Sequence, residues 1–136
     1  MPMVDKPIEE LLLYEGRNPA PADFDQFWDD ALEEMRQVDR QVELVKADFQ
    51  APGCVCYDLY FTGVRNARIH GQLVMPEHWD KPMPAVLQFH GYTGWTGEFS
   101  GKIGLASCGF VVAALDCRGQ GGHSEDTGGV KGTTQN

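Results

Sequence analysis

The sequence predicts an α/β fold in which an antiparallel meander of strands leads into a parallel β-α-β unit, preceded by an amphipathic helix. Three observations support this order. Apolar residues recur with a helical period in residues 24–36, strand-like segments follow with no helical period between them, and after Pro82 the pattern becomes apolar run, glycine loop, helical segment and apolar run. The chain has 136 residues, 42% of them hydrophobic, which is enough for one core.

The first predicted element is the helix in "PADFDQFWDDALEEMRQ". Counted from Phe24, its apolar residues fall at +3, +4, +7, +8 and +11, which is the stripe of an amphipathic helix. Acidic residues concentrate toward its N-terminus and Arg36 lies near its end, as the helix dipole favours. We expect this helix to pack its aromatic side chains on a sheet.

Three strand-like segments come next, at residues 42–50, 54–62 and 67–75. They are rich in β-branched and aromatic residues, and the short turn "TGVRNA" separates the second from the third. In that turn we expect Gly63 and Asn66 to supply any positive φ angles. The three segments predict an antiparallel meander, in which His70 is interpreted as an ordinary sheet histidine.

The β-α-β unit is predicted from "MPAVLQFHG", "GKIGLASCG" and "FVVAALDCRG". The first and third are short, nearly continuous apolar runs, and the middle one has helical character. Apolar strands joined through a helix imply parallel strands that are covered on both faces. A meander that feeds such a unit is how the sheet of an α/β-hydrolase begins.

Chemistry in such sheets lies beyond the carboxyl ends of the parallel strands, where two glycine-dense loops are predicted, "HGYTGWTGEF" and "DCRGQGGHSED". In the first loop Gly91, Gly94 and Gly97 allow sharp turns that present N–H groups outward, as an oxyanion hole requires. His90 at the strand end is interpreted as orienting this loop rather than as a general base. Trp95 and Tyr92 either line an acyl or sugar pocket or pack the loop down.

Charge and composition exclude several classes of partner. With 20 acidic against 11 basic residues, the chain has a formal charge of -9 and offers no basic stripe for phosphates. Nucleic acid and anionic membranes are therefore not expected as partners. The acidic N-terminus lacks the features of a secretory signal and no segment is apolar enough to span a membrane. We expect a cytoplasmic protein.

No cofactor or metal is expected. Cys54 and Cys56 alternate onto one face of a strand, Cys108 and Cys117 lie far along the chain, and no CxxC pair suggests zinc or redox chemistry. The cysteines are interpreted as reduced structural thiols. The stretch "DCRGQGG" lacks the G-x-G-x-x-G spacing of a dinucleotide site.

A local catalytic triad is not expected, although Ser124 lies beside His123 and near Asp126. A nucleophile elbow places its serine between glycines on a tight strand-to-helix turn, and adjacent side chains rarely converge into the hydrogen bond that activates a nucleophile. Ser100 and Ser107 are interpreted as a helix cap and a helix-surface residue.

"FHGYTG" followed by "DCRGQGGHSED", with "FDQFWDDALEEM" far upstream, resembles the acetylxylan esterase and cephalosporin C deacetylase family, carbohydrate esterase family 7 of the α/β-hydrolases. The likeness runs from residue 3 to the end, and its most specific element is the triplet Arg118, Gly119 and Gln120. The resemblance implies that the Tyr92 N–H, after His90 and Gly91, forms half of an oxyanion hole. It also implies that the triplet shapes the site.

The resemblance implies serine-dependent hydrolysis that removes acetyl groups from acetylated xylo-oligosaccharides or cephalosporin C. The family's G-x-S-Q-G and His-Glu motifs are not among these residues, so we expect the triad to lie beyond Asn136 and the chain alone to be inactive. Residues 1–40 would be a helical extension and residues 41–136 the first half of the hydrolase domain. The complete protein is expected to be a homo-oligomer, usually a hexamer in this family.

Two alternatives remain open at this point. One is a non-catalytic remnant that serves as a binding or oligomerisation module, which the missing elbow motif favours. The other is part of a different α/β-hydrolase, such as a peptidase or dienelactone hydrolase, because "HGY" is widely shared. The RGQ triplet and the long N-terminal helix weigh against the second alternative.

Overall fold

The structure is a computed structural model and describes residues 5–128. Contact density divides the chain into two units, residues 1–33 and 34–136. The elements, in chain order, are helices α1 (Ile8–Leu11) and α2 (Phe24–Arg36), strands β1 (Glu43–Lys46) and β2 (Cys54–Thr62), a 3-10 turn (Val64–Asn66), strands β3 (Arg68–Pro76) and β4 (Ala85–Phe89), helix α3 (Ser100–Ser107) and strand β5 (Val111–Leu115).

The second unit contains a five-stranded sheet with the order β1-β2-β3-β5-β4. The first three strands pair antiparallel as a meander, β3 pairs antiparallel with β5, and β4 pairs parallel with β5 through the α3 crossover. The predicted fold class, a meander leading into a parallel β-α-β unit, is thereby confirmed. Because β5 inserts between β3 and β4, the carboxyl ends of β4 and β5 lie side by side.

The first strand is shorter than the predicted segment 42–50. Beyond Lys46 the Gln50 side chain takes over the pairing: its amide nitrogen donates to the carbonyls of Ala47 (2.7 Å) and Cys56 (3.0 Å). Its amide oxygen accepts the Cys56 N–H at 3.1 Å. A side chain that satisfies backbone groups in this way competes with the sheet ladder and ends the strand.

The prediction for the β2–β3 turn is half wrong. Gly63 is extended, with φ −98°, and positive φ falls on Arg65 and Asn66, each at 56°. Asn66 fits the expectation because asparagine tolerates this region. A Cβ at position 63 would make a tight contact with the Ile69 side chain, at 3.0 Å.

The core lies between α3 and one face of the sheet. Cys56, Val74, Val112 and Ala106 are fully buried there. Cys54 is also buried on this face, which confirms the predicted alternation, and both cysteines are free thiols. Burial raises the pKa of the Cys56 thiol above its ordinary value of 9.0, which keeps it protonated and unreactive.

The predicted amphipathic helix is present as α2. Trp28 makes edge-to-face ring contacts with Phe24 and Phe27, at centroid distances of 6.3 and 5.6 Å. Phe24 and Trp28, four residues apart, lie on the same face of the helix, as their spacing predicts. Whether segment 1–40 packs on the sheet stays a prediction. No helix among residues 5–128 has the length and apolar character to cross a membrane.

Gly71→Ala tests the close approach of β3 to β5. A Cβ at position 71 would lie 2.6 Å from the Ala114 carbonyl oxygen, which cannot move without breaking the strand pair. We expect a loss of about 2 kcal/mol or more in urea unfolding. Gly104→Ala, in α3 with nothing within 4 Å of its Cβ, is the matched control and should stabilise by about 0.5–1 kcal/mol. Equal effects of the two variants would contradict this packing.

Candidate active site

A cavity of about 470 Å³ lies where β4 and β5 end. The loop at residues 90–99 follows β4 and the loop at residues 116–128 follows β5, so both predicted glycine-dense loops meet at this edge. The cavity is lined by strand ends and by the first loop: Leu87, Gln88, Phe89, His90, Trp95, Thr96, Ala114 and Leu115. The carboxyl ends of β4 and β5 therefore form the candidate active site, as is usual for α/β sheets.

His90 connects the two loops through its ring. Nε2 accepts the Cys117 N–H at 2.9 Å, so Nδ1 carries the proton and donates to the Gly91 carbonyl oxygen at 2.7 Å. Both ring nitrogens are thus engaged with backbone groups. A histidine held in this way orients the loops and has no free nitrogen for proton transfer.

Tyr92 lies at the exposed turn of the first loop, with Thr93 next to it in a left-handed conformation at φ 62°. The Thr93 N–H donates to Gln120 Oε1 at 2.6 Å. Gly121 passes so near that a Cβ there would lie 2.6 Å from the Gly94 carbonyl oxygen and 2.9 Å from that of Thr93. The second loop therefore fixes the backbone on which the Tyr92 amide lies.

Asp116, the first residue after β5, is fully buried and accepts three hydrogen bonds. The donors are the Thr96 N–H (2.7 Å), the His123 N–H (3.0 Å) and His70 Nδ1 (2.6 Å). Burial by itself raises the pKa of Asp116, but the three hydrogen bonds outweigh burial and hold this pKa below its ordinary value of 3.8. One carboxylate thereby joins both loops to β3.

His70 extends this network across the meander. Its Nε2 lies 3.2 Å from an Asp58 carboxylate oxygen, so the buried ring stands between two carboxylates. Sequence reasoning interpreted His70 as an ordinary sheet histidine and singled out neither aspartate. The network could have been suspected from the polar residues that alternate along β2 and β3. In the β2–β3 register, Tyr60 pairs with His70 and Asp58 pairs with Gln72.

Lys102 supports the first loop from α3. Although almost fully buried, its Nζ donates to the carbonyl oxygens of Thr96 (2.7 Å) and Glu98 (3.2 Å). Burial lowers the pKa of Lys102 below its ordinary value of 10.5, while the charges of Asp116 and Glu98 act to raise it. The loop is therefore held at Thr96 from both sides, by Asp116 at its N–H and by Lys102 at its carbonyl oxygen.

The predicted triplet lies at the start of the second loop. Arg118 donates to the Val64 carbonyl oxygen (3.0 Å), to Asp126 Oδ1 (3.2 Å) and to Thr127 Oγ1 (3.1 Å). Gly119 is buried with φ 66°. The Arg118 guanidinium thus ties the β2–β3 turn to the far end of the second loop.

The serines do not form a triad among residues 5–128. Ser124 Oγ accepts the His70 N–H at 2.9 Å and donates to the His70 carbonyl oxygen at 3.3 Å, so it pairs with backbone rather than with an imidazole. Ser107 Oγ lies 3.9 Å from Cys54 Sγ. Ser100 is not the helix cap that was expected: the N-cap is Phe99, which has no side-chain capping bond, and Ser100 is the first helical residue.

The comparisons with known proteins identify the family of the chain. The family model for acetyl xylan esterase matches residues 1–136. The chain belongs to the acetyl xylan esterase family. This membership confirms the predicted resemblance.

Two solved acetyl xylan esterases show how far the likeness extends. Acetyl xylan esterase 1 from Thermoanaerobacterium sp. JW/SL YS485 is 49% identical with a TM-score of 0.87, and the match covers 97% of this chain and 41% of that one. The enzyme from Paenibacillus sp. R4 is 33% identical with a TM-score of 0.76, covering 93% and 43%. The chain therefore spans about two fifths of the length of these esterases.

No cluster of three or more histidine, cysteine, aspartate or glutamate side chains among residues 5–128 is arranged to hold a metal ion. The two loops are fixed to each other through hydrogen bonds from their backbone N–H groups to His90, Gln120 and Asp116. An amide that is fixed before a reaction stabilises a developing oxyanion without reorganisation.

Asp116→Asn tests the buried carboxylate through acid unfolding. Because the folded-state pKa lies below the unfolded one, the unfolded chain binds the proton first as pH falls. The stability due to Asp116 is therefore complete above pH 3.8 and is lost as pH falls through the folded-state pKa. We expect Asp116→Asn to be about 2–5 kcal/mol less stable at pH 7 and to show a flatter loss of stability below pH 3.8.

Asp80→Asn, which removes an exposed carboxylate between β3 and β4, is the control and should keep the wild-type acid profile. Urea unfolding at a series of pH values measures both variants. A wild-type profile for Asp116→Asn would contradict the role given to this carboxylate.

Gly122→Ala tests the space that Asp116 occupies. A Cβ at 122 would overlap the Asp116 carboxylate, and φ is already 94°, so strain and collision act together. Gly53→Ala is the matched control, since φ is 74° there but nothing lies within 4 Å. We expect about 1 kcal/mol of destabilisation for Gly53→Ala and at least ~2 kcal/mol more for Gly122→Ala, measured by urea unfolding. Similar losses would rule out the collision.

Proposed function

We propose that this chain supplies half of the active site of a serine-dependent acetyl xylan esterase, with the Tyr92 N–H as one donor of the oxyanion hole. The observation that carries the proposal is the pair of loops at the carboxyl ends of β4 and β5. His90 and Gln120 fix these loops to each other, with hydrogen bonds of 2.9 and 2.6 Å to backbone N–H groups. Family membership supplies the reaction.

In the proposed reaction a serine attacks the acetyl carbonyl, and the carbonyl oxygen becomes an oxyanion in the tetrahedral intermediate. The Tyr92 amide donates to this oxygen. Collapse of the intermediate expels the sugar alcohol and leaves an acetyl-enzyme, which water then hydrolyses to acetate. Arg118, Gly119 and Gln120 shape the second loop: Gln120 holds it against the first loop, and Arg118 ties it to the β2–β3 turn.

The nucleophile of this reaction is not proposed to be any serine of the chain. Ser124 is bonded to the backbone of His70, and Ser107 is on α3 beside Cys54. We therefore propose that the 136 residues alone are inactive and that the serine, its base and the second oxyanion donor come from a different segment. Removal of one oxyanion donor typically costs about 100- to 1000-fold in kcat.

The finer assignments are proposals on the same basis. Acetylated xylo-oligosaccharides are the proposed substrates, with cephalosporin C as a further one through the likeness to carbohydrate esterase family 7. The proposed complete protein is a cytoplasmic homo-oligomer, a hexamer by the same likeness. Native mass of the assembled esterase checks the oligomeric state.

Segment complementation tests the proposal. The 136-residue chain is assayed on p-nitrophenyl acetate alone and after mixing with the part of the Thermoanaerobacterium esterase that this chain does not match. We expect turnover only in the mixture, and deacetylation of acetylated xylo-oligosaccharides by the mixture but no cleavage of peptides. Stoichiometric p-nitrophenol release by the chain alone, abolished by a serine-directed inhibitor, would contradict the proposed inactivity.

Gln120→Met tests the bond that fixes the Tyr92 amide. Methionine keeps the length of the side chain but cannot accept the Thr93 N–H, so the loop loses its 2.6 Å hydrogen bond. We expect kcat of the complemented esterase to fall at least about tenfold with little change in KM, because the amide acts mainly on the transition state. Gln120→Glu keeps an acceptor and should retain most of kcat. Equal losses in both variants would contradict this positioning.

A further inference from the structure

Each ring nitrogen of the buried His70 imidazole faces a carboxylate. Nδ1 lies 2.6 Å from Asp116 Oδ2, and Nε2 lies 3.2 Å from Asp58 Oδ1. A neutral imidazole carries one N–H group and one lone pair, so it can donate to only one of two acceptors. A neutral ring therefore accounts for one of these contacts and leaves the other without a proton.

The contact with Asp116 takes the first proton. Both Asp116 oxygens already accept backbone N–H groups, Oδ1 from Thr96 at 2.7 Å and Oδ2 from His123 at 3.0 Å. Although burial raises the pKa of Asp116, its hydrogen bonds hold this pKa below the ordinary value of 3.8, so the carboxylate is ionised and can only accept. Nδ1 of His70 therefore carries a proton.

The contact with Asp58 requires a second proton. With Nδ1 protonated, a neutral ring would turn the lone pair of Nε2 toward the lone pairs of Asp58 Oδ1, at a distance normal for a hydrogen bond. A proton between these two atoms removes the repulsion. An imidazole is a stronger base than a carboxylate, and the Asp58 side chain is 30% exposed and keeps part of its hydration. Both facts place the proton on Nε2.

Two cations near this network are bonded elsewhere and do not replace the second proton. Lys102 of α3 donates to the carbonyl oxygens of Thr96 and Glu98. Arg68, two residues before His70 on β3, pairs with the Glu43 carboxylate.

The aromatic rings beside His70 also suit a positive charge. The Tyr60 ring lies 5.1 Å away between centroids, within the ~6 Å at which an aromatic ring attracts a cation. The His123 ring meets that of His70 at 5.2 Å and nearly at a right angle, and it belongs to an exposed residue whose backbone N–H is the group that bonds Asp116.

We propose that His70 is a positioning residue that holds a proton on each ring nitrogen and acts as a buried cation between Asp58 and Asp116. The charge strengthens the hydrogen bond to Asp116, because hydrogen bonds between charged groups are roughly twice as strong as neutral ones. Asp116 in turn holds Thr96 of the first loop and His123 of the second. The inference concerns the assembly of the two loops and is independent of the proposed esterase reaction.

The proton count of the ring is measured by NMR on the ¹⁵N-labelled 136-residue chain at about pH 7.5, where an ordinary imidazole is neutral. We expect both ring nitrogens of His70 to be protonated. His90 is the internal control: its Nε2 accepts the Cys117 N–H, so only Nδ1 should carry a proton. An unprotonated Nε2 in His70, as in a neutral ring or with the proton on Asp58, would overturn the proposal.

Asp58→Asn tests what the charge does. The asparagine amide can donate to Nε2, so His70 should become neutral and keep its proton only on Nδ1. Its bond to Asp116 then loses the charge, and amide exchange at Thr96 and His123 should become about fivefold faster. Asp80→Asn, which removes an exposed carboxylate, is the control and should change neither the ring nor the exchange.

A ring that stays doubly protonated in Asp58→Asn, or exchange no faster than in the control, would overturn the proposal. If Asp58→Asn fails to fold, the ring spectrum of the wild-type chain decides by itself.

Discussion

The buried carboxylate of Asp116 is the interaction on which the candidate site depends. A charged group without solvent contact is tolerated only when hydrogen bonds replace its hydration. Here the replacement comes from the loop after β4, the loop after β5 and the imidazole of His70 in β3. Satisfying one side chain therefore requires three separate segments to converge, and this convergence places the Tyr92 loop against the second loop.

The glycines of the second loop follow from the same constraint. Gly122 leaves the volume that the Asp116 carboxylate fills, and Gly121 lets the backbone pass against the carbonyls of Thr93 and Gly94. His90 and Gln120 then join the loops through single hydrogen bonds to N–H groups. The stretch "DCRGQGG" thus acts as one structural unit. It contains the buried carboxylate of Asp116, the guanidinium of Arg118, the Gln120 amide that accepts from the neighbouring loop, and Gly121 and Gly122, which leave space for these contacts.

Periodicity predicted the elements well because α2 and the strands of the β-α-β unit carry regular apolar patterns. It overestimated β1, where the Gln50 side chain replaces the ladder, and misplaced one positive φ angle of the β2–β3 turn, which falls on Arg65 and not on Gly63. Such effects depend on individual side-chain hydrogen bonds and turn geometry within a few residues, which hydrophobic periodicity does not encode.

The position of the two loops was predictable from the sequence, but the hydrogen-bond network that holds them was not. The loops were expected at the carboxyl ends of the parallel strands, and the family likeness is confirmed by the comparisons. The network through Asp58, His70 and Asp116 was not anticipated, because its members are far apart in the chain and meet only through sheet register. The roles given to Tyr92 and to the RGQ triplet remain proposals.

Amide hydrogen exchange at Thr96 and His123 tests the central claim most directly, since both N–H groups lie in loops and donate to Asp116. We expect these two amides to exchange as slowly as those of β3, because opening them exposes an unpaired buried carboxylate. Exchange as fast as that of Gly128, near the far end of the second loop, would show that Asp116 does not hold the two loops together.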